Sequence, residues 1–123
     1  MINILKWMPA FFVMSVIFTF SSIAGPTIDA VGLGKETYHI NGHFLLFFFL
    51  CFAYFKATKK IIVSIVLAIL YAFTDELHQK YTPLRSASLF DIYIDSAGIL
   101  FAGTILWKLL PILPKKLKNW LTN

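Results

Sequence analysis

Residues 61–74 read IIVSIVLAILYAFT, a run without one charged side chain, and the next eleven read DELHQKYTPLR. An uncharged apolar stretch of this kind is buried in protein or in a bilayer, and its surroundings must also receive two carboxylates, an imidazole and a carboxamide at its end. Three further stretches share its character, at 5–23, 39–55 and 88–109. With 59% hydrophobic and only 14% charged residues, and a mean hydropathy of +0.76, the chain lacks the polar side chains that cover a water-soluble domain. At roughly 20 residues per crossing, 123 residues leave room for about four spans and no large soluble domain.

The expected architecture is an all-α membrane protein: a compact antiparallel bundle of four transmembrane helices with both termini cytoplasmic. It forms a single domain over 1–123, with spans at about 5–23, 39–55, 60–79 and 88–109 and a basic tail at 111–123. Short connections favour antiparallel neighbours. Gly25 and Pro26 close the first span. A cleavable leader is the competing reading of that span, but its apolar stretch is long for a leader's core. Cys51 is the single cysteine, which excludes a disulfide within the chain and reads as a small buried hydrophobe. The tail PKKLKNWLTN, basic with one Trp, suits a segment lying on an anionic leaflet.

Lysine placement gives the orientation. Putting the amino terminus, the connection between spans 2 and 3 and the tail on one side collects Lys6, Lys56, Lys59, Lys60, Lys108, Lys115, Lys116 and Lys118 there. Only Lys35, Lys80 and Arg85 fall opposite, so the first side is predicted to be cytoplasmic. All six acids, Asp29, Glu36, Asp75, Glu76, Asp91 and Asp95, then lie toward the outer face.

Helical rise sets the depth of the polar groups. Lys60 to Asp75, Lys108 to Asp95, Lys56 to His43 and Lys6 to Ser22 each span roughly 20 to 24 Å, which puts all four end points near the outer third of a hydrocarbon core about 30 Å thick. Intervals of three and four gather Ser88, Asp91, Asp95, Gly98 and Ala102 on one face of span 4. The same spacing gathers Ser64, Ala68, Tyr71, Asp75 and His78 or Gln79 on span 3, and Ser15, Thr19 and Ser22 on span 1. Such faces pack against other helices through small residues and hydrogen bonds, although serine and threonine hydroxyls also satisfy themselves on their own backbone.

His39 and His43, four apart on span 2, have a metal-ligand spacing, but no HExxH accompanies them, and His43 reads better as a hydrogen-bonded or acid–base group. Asp75, Glu76, Asp91 and Asp95 admit two readings. They can form a structural network with Arg85 and the histidines, or a working site. Four acids against three histidines and one arginine is too much negative charge for a dry core, so some are protonated, hydrated, or bound to a divalent cation or a cationic ligand. The candidate site residues are therefore His43, Asp75, Glu76, Gln79, Arg85, Asp91 and Asp95. No P-loop, GxSxG, CxxC or GxGxxG occurs, and the dispersed basic residues offer no nucleic-acid platform.

FTFSS at 18–22, His43-Phe44 and DELHQKYTPLRSASLFDIYIDSAG at 75–98 resemble the VanZ-like membrane proteins, the group named for a teicoplanin-resistance accessory protein. The chain departs from the family's usual pattern at His39 and Ile40, where a basic residue is common, and at Phe47 and Leu84. The resemblance implies a multi-pass protein of the bacterial cytoplasmic membrane, linked to the cell envelope and to glycopeptide susceptibility. The expected partners are the lipid bilayer and a lipid-linked cell-wall precursor or phospholipid headgroup, with self-association as one way to bury the pocket. A non-enzymatic scaffold and a small transporter or proton relay are the competing functions.

Overall fold

The computed structural model describes residues 3–22, 36–81 and 89–122, with side chains in the second stretch from 41 onward. Asp29, Lys35, Arg85 and Ser88, the Gly25-Pro26 stop, and the side chains of Glu36 and His39 lie outside the described residues. Among those described there are five α-helices and no strand: α1 (Ile4–Ser22), α2 (Glu36–Thr58), α3 (Ile61–Lys80), α4 (Leu89–Lys108) and α5 (Lys115–Thr122), with a 3-10 turn at Leu110–Ile112.

Helices α1, α3 and α4 are long and apolar enough to cross a membrane. The second helix is longer than the expected span and carries Asn41 and His43 near its start and Lys56 near its end. It is the packing centre, in contact with α1, α3 and α4. Its core-facing residues Phe47, Leu50 and Cys51 are fully buried, which accounts for the lone thiol as a packing group. Phe44, Phe48 and Phe52 form a ladder along α2 at i, i+4 spacing, with centroids 6.5 and 5.0 Å apart, and Phe101 of α4 packs 5.6 Å from Phe48. Tyr54 donates to Met14 Sδ and Tyr71 to the Met14 carbonyl at 2.8 Å, so α1 is tied to both α2 and α3.

The outside of the bundle is as greasy as its inside. Phe11, Phe12, Leu70, Phe73, Leu77, Leu100, Phe101 and Trp107 are each more than half exposed, more large apolar side chains than the surface of a water-soluble monomer presents. Hydrocarbon is the solvent that suits them.

One end of the bundle is basic. Lys59 ends α2 at φ 60°, a left-handed conformation usually given to glycine, and its amide still donates to the Phe55 carbonyl at 2.8 Å. The side chain earns the position: Lys59 Nζ donates to the Leu121 carbonyl and Lys56 Nζ to the Trp120 carbonyl, each at 2.6 Å. Two ammonium groups thus cap the last carbonyls of α5, which no residue of that helix can satisfy. Burial pulls the Lys59 ammonium below its ordinary range, with Lys56 and Lys6 adding repulsion. The tail is therefore docked as well as basic: Leu121 is fully buried, while Lys115 and Lys116 stay exposed.

Candidate functional site

At the other end, the polar residues meet. On α3, Asp75 and Gln79 stand one turn apart and share a face with Ser64 and Ala68, all of them buried. Gln79 Nε2 donates to Asp75 Oδ2 at 3.2 Å and to Ser21 Oγ at 3.5 Å, and the Ser21 hydroxyl donates to Asp75 Oδ1. On α4, Asp91, Asp95, Gly98 and Ala102 form the buried face. Asp95 Oδ1 lies 2.7 Å from His43 Nδ1, with the carboxylate fully buried and the imidazole 13% exposed.

Gly98 is what permits that distance. A Cβ at this position would collide with the Phe44 carbonyl oxygen and lie 3.2 Å from its carbon, both of them backbone atoms. Without a side chain at 98, the first turns of α2 settle directly on α4, and His43, next to Phe44, reaches the carboxylate one turn before Gly98.

His43, Asp75 and Asp95 each offer a ligand atom, and these atoms lie within 4.8 Å of one another. Asp91 and Asp75 are both within electrostatic reach of His43. Asp91 and Glu76 are buried in the same turns of α4 and α3. Of the expected site residues, the structure thus joins His43, Asp75, Gln79 and Asp95, buries Glu76 and Asp91 beside them, and leaves Arg85 outside the described residues. A net negative cluster of this kind accepts a cation, or holds a proton between an imidazole and a carboxylate.

The first helix corrects the sequence reading. Ser15, Thr19 and Ser22 were expected to form its packing face, yet all three are exposed, and each hydroxyl bonds its own helix at the carbonyl four residues back. The buried face runs instead through Ala10, Ile17 and Ser21. Ser21 is the site residue that spacing missed, and the adjacent serines of FTFSS were the available signal. On α3 the alternative between His78 and Gln79 resolves toward Gln79, which is fully buried. His78 sits at the rim, stacked 4.5 Å from Phe18, with Nε2 2.9 Å from Ser22 Oγ.

Membrane-grade helices enclosing a buried acid–imidazole–carboxamide cluster define a class: a helical membrane protein with a polar site set at one end of its bundle. The chain belongs to the VanZ/LLP1 family, whose model matches residues 5–111. No curated protein and no solved structure matches it.

Proposed function

We propose that this VanZ-like protein crosses the bacterial cytoplasmic membrane four times, with both termini inside, and uses an outward-facing pocket to bind or modify a lipid-linked headgroup, altering how glycopeptides of the teicoplanin type meet the cell surface. The observation that carries the reading is the convergence of Asp75, Asp95 and His43 from three helices within 4.8 Å. The orientation is supported by Lys6, Lys56 and Lys59 standing together at the opposite end, as expected of a cytoplasmic face. Arg85 would grip a phosphate or carboxylate through its planar fork. Glu76 and His43 would act as acid and base, with Asp91 and Asp95 orienting them.

A proton or ion relay fits less well. Between the polar layer and the basic end, the described buried residues are apolar apart from Ser64 and Tyr54, and Ser64 closes on the Lys60 carbonyl at 2.7 Å. A pure scaffold differs in its response to chemistry at constant shape. Glu76→Gln and Arg85→Lys should each return glycopeptide susceptibility to that of cells lacking the protein, at unchanged membrane levels on a blot. Full activity in both variants would remove the pocket from the working part of the molecule and favour the scaffold.

A further inference from the structure

Two buried acceptors in the polar layer have no hydrogen-bond donor among the described residues. Asp95 is fully buried, and its Oδ2 has no partner there; Gln79 is fully buried, and its Oε1 has none. Both belong to the same small cluster. Asp95 contributes one corner of the triangle with His43 and Asp75, and the Gln79 carboxamide already touches Asp75 through its nitrogen. Among the described residues the cluster thus holds acceptors that no donor meets, which is the condition a cation relieves.

We infer that His43, Asp75 and Asp95 bind one divalent transition-metal ion, with the Gln79 carbonyl oxygen available as a fourth ligand. Charge favours this over a protonated imidazole: an imidazolium offsets one of the two buried carboxylates, whereas a dication beside a neutral imidazole offsets both. Ligand type narrows the metal. An imidazole nitrogen with carboxylate oxygens suits zinc or manganese, while calcium asks for six to eight oxygens. Ligand atoms about 2.1 Å from one tetrahedral ion stand about 3.4 Å apart, so a pair separated by as much as the 4.8 Å that bounds the triangle closes by roughly 1.4 Å on binding, a movement made by side-chain rotation. The ion would keep a coordination position for water or a ligand oxygen. The assignment does not depend on the headgroup reading, because metal uptake can be measured with no other ligand present.

The test uses the full chain in detergent, stripped with chelator and titrated calorimetrically with ZnCl2 or MnCl2 alone. Wild type should take up one ion per chain, and Asp95→Asn and Asp75→Asn should each weaken binding by at least about 100-fold, more than the 10- to 100-fold typical of losing an outer-sphere partner. Uptake well below one ion per chain, or wild-type affinity in both variants, overturns the site. Should the variants fail to elute as folded protein, pulsed EPR of Mn2+ on the wild type decides instead. Nitrogen modulation from a directly bound imidazole is expected, and its absence at full occupancy overturns the assignment.

Discussion

Gly98→Ala lowers the stability of the bundle by about 3 kcal/mol, the upper end of what overpacking a close-packed interior costs. In a helix interior the change from glycine to alanine normally works the other way, gaining about 1 kcal/mol by restricting the unfolded chain and improving helix propensity. The reversal has a named cause. The added methyl meets the Phe44 backbone, and a carbonyl inside a hydrogen-bonded helix has no rotamer by which to withdraw. The only relief is separation of α2 from α4, which also lengthens the bond between His43 and Asp95. The other described glycines supply the contrast. At Gly103 the methyl meets the Ile65 side chain, 2.7 Å from Cδ1, which can rotate, so alanine there costs less than about 1 kcal/mol. At Gly42 nothing lies within 4 Å, and alanine stabilises by about 0.5–1 kcal/mol. Thermal or steric-trapping denaturation of the three variants in one detergent checks the order. Equal effects at 98 and 42 would mean that α2 and α4 are not in backbone contact.

Asp95→Ala destabilises the chelator-treated protein by about 1–3 kcal/mol, because it removes the acceptor that His43 Nδ1 has in the bundle interior. Asp95 is fully buried and His43 13% exposed, so solvent screening takes little of that away. Asp95→Asn, which keeps the shape and one oxygen acceptor for His43 Nδ1, costs much less. The double variant His43→Phe with Asp95→Ala is the sharper comparison. Apolar replacement of both members of a buried pair is often nearly neutral, so the two losses do not add, and the shortfall measures the coupling. Additive losses in a denaturation cycle would show that the two side chains do not interact.

How far the sequence discloses this site depends on what each helix has to spare. On α3 and α4 every carboxylate and carboxamide costs free energy in a bilayer, so Asp75, Gln79, Asp91 and Asp95 could only face inward, and their spacing names the buried faces. On α1 the same spacing misleads. Ser15 and Thr19 satisfy their hydroxyls on their own carbonyls, so lipid exposure costs them little and their spacing carries no information about packing, while Ser22 does the same and also meets His78 at the rim. Ser21, one residue away, is buried because Asp75 needs a donor there. From Phe44 to Phe55 helix α2 carries no charged side chain on any face, with phenylalanines at 44, 47, 48, 49, 52 and 55. Only His43 betrays its orientation, and its central place in the bundle follows from Gly98 on another helix. The docking of α5 was hidden for a related reason: its amphipathic pattern fits a leaflet as well as a groove, and the choice rests on Lys56 and Lys59, far away in the chain.

Accessibility to a membrane-impermeant thiol reagent tests most directly whether the acid–imidazole layer opens to the outside. In a Cys51→Ala background, a cysteine replacing Tyr81, which is 81% exposed two residues beyond Gln79, should be labelled in intact cells. One replacing Asn119 on the docked tail should react only after the membrane is permeabilised. Labelling of position 119 in intact cells, with position 81 protected, would turn the site toward the cytoplasm and contradict the account.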